Sequence, residues 1–100
     1  MTASLVAFLR ARLDEGLETA RLIGNTLITQ RERMGVTLEA AESQAQRSSR
    51  AAEARRTLFE ETVVPYLGTA GPGGRNAERQ LRLLAWEYTD HKDFDPSWSE

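Results

Sequence analysis

The chain has no cysteine, which excludes disulfide staples, thiolate nucleophiles and every zinc site built on sulfur. Histidine is nearly absent as well: His91 is the single one. Among the thirteen basic residues, lysine appears once, at Lys92. That bias toward arginine points to GC-rich coding rather than to a charge function. No apolar run approaches the roughly 20 residues that a membrane-spanning helix needs. The opening, Met1-Thr-Ala-Ser-Leu-Val-Ala-Phe-Leu-Arg10, carries no basic stretch ahead of its apolar patch, as a secretory signal would. A cytoplasmic protein with no membrane role is therefore expected. An excess of positive charge is also missing. The net charge is -2 and the isoelectric point about 5.5, which argues against general attraction to phosphate backbones.

What is present reads as helix. The 100 residues are 40% hydrophobic and 28% charged, enough for one domain near the lower limit of a single core and too apolar for a disordered chain. From Ser4, a candidate cap, to Met34, the apolar residues Leu5, Phe8, Leu9, Leu13, Leu17, Ala20, Ile23 or Gly24, Leu27 and Met34 recur at three- and four-residue steps. That periodicity predicts a helix over 4–34. Gly16 and Gly24 each cost up to about 1 kcal/mol inside it. A close helix–helix crossing would explain both, and a break at Gly24-Asn25 is the alternative. Gly35 suits a left-handed helix end and Thr37 the cap of a second helix over 37–66. Its periodic positions are large at the ends (Leu38, Phe59, Val63, Tyr66) and small or polar between (Ala41, Ala45, Ser48, Ala52, Arg55). Pro65 should strain or end its last turn.

A tight turn at Gly35 makes the two helices antiparallel neighbours. Folding there places Ala51 and Ala54 beside Ala20 and Gly16, and Leu58 beside Leu13 or Phe8, so small faces small and large faces large. Gly68 to Gly74 holds four glycines in seven residues. No strand precedes it and no Gly-Lys-Ser/Thr follows, so it reads as a flexible connector over 68–75 rather than a phosphate loop. Asn76 then caps a short helix over 76–88, with Leu81, Leu84, Ala85 and Tyr88 on one face, Leu83 and Trp86 flanking, and a Glu78–Arg82 pair on the wet side. An acidic, turn-like tail fills 89–100. The predicted fold is all-α, one domain: a long antiparallel helical hairpin, a short third helix and an aromatic C-terminal tail.

This hairpin is poor in bulk. Between Glu42 and Arg56 no large apolar residue occurs, and a buried alanine contributes far less than the roughly 1.5–3 kcal/mol of a buried Leu or Phe. Four of the seven aromatics fall in the last fifteen residues: Trp86, Tyr88, Phe94 and Trp98. They are expected to close the core at the open end, and their exposed parts are the candidate partner-binding surface, since aromatics dominate interface hot spots. The Gly35 end stays uncovered by the third helix. Self-association into a homo-oligomer, or a protein partner, is the expectation there.

No catalytic, cofactor or metal site is assigned. His91 beside Asp90 and Asp93 could be a ligand or an oriented base, but a surface turn with Asp90 accepting backbone hydrogen bonds is the plainer reading. Ser48-Ser49 lies between arginines with no histidine nearby. Glu60-Glu61 are adjacent on a helix and point about 100° apart. Arg47, Arg50, Arg55 and Arg56 form a basic cluster, the alternative nucleic-acid surface, although Glu53, Glu60 and Glu61 interrupt or adjoin it. The stretch Ile23 to Ala41 is similar to the opening of a phage-repressor helix-turn-helix. Gln46 and Arg47 then stand where that family carries a glycine and an apolar core residue.

Three blocks carry a broader resemblance: Leu5-Val-Ala-Phe-Leu-Arg-Ala-Arg-Leu-Asp-Glu15, Ala52-Glu-Ala-Arg-Arg-Thr-Leu58, and Leu81-Arg-Leu-Leu-Ala85 followed by Tyr88-Thr-Asp-His-Lys-Asp-Phe94 and Trp98. In that order they resemble an uncharacterised family of small proteins of actinobacteria and their phages. Many members place a histidine near Glu61 and a cysteine cluster before the last helix, suggestive of zinc. This chain has Glu61 and a glycine-rich stretch there, so the resemblance implies no metal site here. It implies an actinobacterial or phage origin and no activity. The reading is a non-enzymatic helical accessory protein, a phage or prophage component acting through protein–protein contacts.

Overall fold

The structure, a computed structural model, describes residues 2–99. Among them every regular element is helical: α1 (Thr2–Thr29), α2 (Leu38–Leu58) and α3 (Pro72–Ala85), joined by shorter turns of other pitch. The fold is all-α, with two long helices packed against each other and a short third. The chain divides into two compact units. One is Leu13–Arg56; the other joins the start of the chain through Arg12 to everything from Thr57 onward.

In the Leu13–Arg56 unit, α1 runs through Gly24 and Asn25 without a break. It ends at Thr29, short of the expected Met34, and the chain continues in turns to a left-handed stop: Val36 N–H donates to the Arg31 carbonyl at 2.9 Å and Gly35 N–H to that of Glu32 at 3.2 Å. Gly35 has φ +70°, a conformation that costs a side-chain-bearing residue about 1–2 kcal/mol. Thr37 Oγ1 then accepts the Ala40 N–H at 3.1 Å, capping α2. The two helices run antiparallel, but Ala51, Ala54 and Leu58, expected to face α1, are exposed. Gly24 sits so close to Ala45 that a Cβ placed on it would lie 3.0 Å from the Ala45 Cβ, and Asp14 pairs with Arg56 at 2.6 Å. Two further details differ from the sequence reading. Gly16 has open space around it, so a close crossing explains Gly24 alone; and Gly24 is buried while Ile23 faces outward.

The second unit holds most of the core. Leu5, Phe8 and Leu9 of α1 are buried, as are Phe59 and Val63 and, from α3, Ala77, Leu81 and Ala85. Helix α1 already includes Thr2, so Ser4 lies inside its first turn rather than capping it. After Leu58 the ladder widens into a π turn, Phe59–Val63, in which Val64 N–H donates to the Phe59 carbonyl. Pro65 has no N–H to offer, and the chain tightens to a 3-10 turn, Val64–Tyr66, before Leu67 leaves in an extended conformation. The expected helix over 37–66 is therefore helical throughout in three different pitches, a consequence of the proline.

The glycine-rich stretch is shorter as a connector than expected. Helix α3 begins at Pro72, with Gly71 (φ +82°) as its cap, because proline's fixed φ suits the first helical position. Asn76 is inside the helix and caps nothing. Gly74 is held under the Thr69 carbonyl, where a Cβ would fall 1.9 Å from the oxygen. The buried stripe of α3 is Gly74, Ala77, Leu81 and Ala85, and Glu78 pairs with Arg82 at 3.4 Å on the outside. Helix α3 ends at Ala85 in a 3-10 turn over Trp86–Tyr88. On α1, Arg10 makes a two-pronged contact with Glu60, Nε at 2.8 Å and Nη2 at 2.7 Å.

Candidate functional site

The tail is organised on Phe8. Ring centroids lie at 5.1 Å for Trp98, 5.4 Å for His91, 6.0 Å for Phe94 and 6.1 Å for Tyr88, with the last three edge-on. Phe94 and Trp98 also meet edge-to-face at 5.4 Å. Such pairs contribute about 0.5–1.5 kcal/mol each beyond buried area. The Arg12 guanidinium lies 5.2 Å from the Phe8 ring centre and hydrogen-bonds to His91. His91 Nδ1 accepts the Asp93 N–H at 3.0 Å, so the side chain that accepts a backbone amide in this turn is His91 itself, not Asp90. Further on, Asp95 Oδ1 accepts the Ser97 N–H at 3.0 Å and its carbonyl accepts the Trp98 N–H at 2.9 Å. The Ser97 backbone and hydroxyl hydrogen bonds hold the Asp95 carboxyl below its ordinary value. This turn seats Trp98.

Three of the four aromatic candidates, Tyr88, Phe94 and Trp98, thus stand half-buried around Phe8. Trp86 does not: it is 58% exposed. It shares a face of α3 with Arg75, Arg79 and Arg82, spaced four, three and four residues apart, well away from the buried stripe. These residues, with Glu78, Leu83 and Trp98, bound a groove of about 340 Å³. Arg82 is held in place, donating to Glu78 at 3.4 Å and to the Trp98 carbonyl at 3.1 Å. Arg75 and Arg79 make no side-chain hydrogen bond or ion pair among the described residues. The sequence reading passed over both. Their spacing relative to Trp86, out of phase with Ala77, Leu81 and Ala85, is the signal that would have found them.

The basic cluster of α2 is differently placed. Arg47, Arg50, Arg55 and Arg56 are all exposed, but Arg56 is engaged by Asp14 and Arg47 donates to Gln44 at 3.0 Å. The repressor-like stretch 23–41 forms the bend between the two long helices. Among the described residues no group of three or more His, Asp or Glu side chains is placed to hold a metal ion. No helix among the described residues is long and apolar enough to cross a membrane.

No curated protein and no solved structure matches the chain. A family model does, over residues 2–100, nearly the whole sequence. The chain belongs to that family, described as a family of unknown function (DUF6221).

Proposed function

We propose that the chain is a small non-enzymatic helical protein that acts by binding protein surfaces, with a second copy of itself as a partner at the Gly35 end. One observation carries this reading. In the Leu13–Arg56 unit only Leu13, Gly24 and Ala41 are buried, whereas Leu22, Ile23, Met34 and Leu38 are each 45–60% exposed. Four large apolar side chains left in water around so small a core make a surface whose burial is favourable at about 25 cal/mol per Å² of apolar area. The resemblance to small actinobacterial and phage proteins supports a phage or prophage accessory role in the cytoplasm of the host.

Light scattering across a concentration series tests the self-association. The mass should exceed the 11.2 kDa of one chain at micromolar concentration, and Ile23→Ser combined with Leu38→Ser should return it to one chain with the helix content kept. A wild-type chain that stays at one chain's mass throughout the series contradicts the reading.

A further inference from the structure

We infer that the outer face of α3 is a docking groove for a short acidic peptide segment of a partner protein. Two carboxylates would seat on Arg75 and Arg79, and a large apolar side chain on Trp86. This deepens the interaction reading above but uses a different surface from the Gly35 end.

Charge complementarity is the first argument. Arg75 and Arg79 are two guanidinium groups with no ionic partner among the described residues. Both border one groove whose third arginine, Arg82, is already held by Glu78 and the Trp98 carbonyl. A guanidinium binds a carboxylate through two parallel N–H donors, which gives direction as well as strength.

Spacing is the second. Residues four apart on a helix are separated by about 6 Å along its axis, and alternate side chains of an extended peptide by about 6.8 Å. An acid–x–acid segment lying along α3 therefore meets Arg75 and Arg79 in turn. Trp86 lies about 10 Å beyond Arg79, so the apolar residue follows the second acid by two to four positions. Trp86 and Leu83, 58% and 41% exposed, supply the surface for it. A groove of about 340 Å³ is sized for a few side chains, not for a folded domain.

A nucleic acid would also meet arginines and an indole here, but the surroundings disfavour it. Glu87, Asp90, Asp93 and Asp95 follow Trp86 in the chain with one lysine, Lys92, among them, and the net charge is -2, a balance that favours a short segment of two acids and an apolar residue over a polyanion.

The test is fluorescence anisotropy of a labelled peptide, acetyl-Asp-Ser-Asp-Ser-Leu-Ser-amide, titrated with the full chain. Its all-Asn counterpart and a labelled oligothymidylate of equal length serve as controls. Saturable binding that weakens with salt is expected for the Asp peptide. Arg75→Gln with Arg79→Gln, and separately Trp86→Ala, should each weaken it by about tenfold or more. Arg47→Gln with Arg50→Gln should leave it unchanged. All these positions are exposed, and circular dichroism of each variant is the check that it folds. No saturation with the Asp peptide, equal binding by the Asn peptide, insensitivity to the α3 variants, or tighter binding of the oligothymidylate each overturns the proposal. Mass measured on the same samples separates the two readings: a chain that stays single yet binds the peptide sinks self-association alone.

Discussion

Phe8→Ala should cost about 3–5 kcal/mol of folding free energy, the range for emptying a large aromatic site. A domain of this size has about 5–15 kcal/mol in total, so the variant should unfold at far lower urea than the wild type. The reason is convergence. Phe8 is 8% exposed and meets the rings of Tyr88, His91, Phe94 and Trp98, which come from a stretch of chain some eighty residues away in sequence. Removing it takes the common contact from all four at once. Near-ultraviolet circular dichroism, which reports tryptophan packing, should fade before the helical signal does. Phe8→Leu keeps most of the volume and should cost about 1.5 kcal/mol or less. A Phe8→Ala chain within 1 kcal/mol of the wild type, on the scale set by cavity formation, would mean that the tail is not packed as described.

Gly74→Ala should be the next most damaging. The added Cβ would meet the Thr69 carbonyl oxygen at 1.9 Å, and that oxygen belongs to the backbone, so either the connector or the first turn of α3 must move. Overpacking of this kind costs about 1–3 kcal/mol and sometimes more. Gly73→Ala is the internal control. Its Cβ would meet nothing within 4 Å, and alanine is favoured over glycine in a helix by about 1 kcal/mol. Two neighbouring glycines should therefore respond with opposite sign, Gly73→Ala raising the urea midpoint and Gly74→Ala lowering it. Equal responses would show that the Gly-rich stretch is the loose connector its composition suggests.

That pair also shows where sequence reasoning stopped. Local chemistry was legible: Gly35 as the left-handed stop and Thr37 as the cap are both written in one or two residues. The antiparallel hairpin was legible too, but not its facing pairs: Gly24 meets Ala45, whereas Ala51, Ala54 and Leu58 are exposed. The start of α3 was not. Glycine's low helix propensity argues for a loop over Gly73 and Gly74, but a close approach between Gly74 and Thr69 overrides propensity, and no local pattern announces it. The π turn at Phe59–Val63 was hidden for a similar reason, with Pro65 as the only hint. Tyr88, Phe94 and Trp98 could not be told from Trp86 by type or spacing alone. Which aromatic stays outside depends on where Phe8 stands, a partner far off in the chain. The unpaired arginines of α3, Arg75 and Arg79, were legible in principle, since they fall on one helical face with Trp86.

Three of the tail aromatics pack on Phe8 while Trp86 stands exposed, a division on which the proposed groove depends. Acrylamide quenching of two single-tryptophan chains, Trp98→Phe retaining Trp86 and Trp86→Phe retaining Trp98, tests it directly. In dilute solution the Trp86 emission should be quenched several-fold more efficiently than that of Trp98, and saturating acidic peptide should protect Trp86 more than Trp98, which borders the same groove. Equal quenching of the two, or a Trp86 already shielded in the dilute chain, would contradict it.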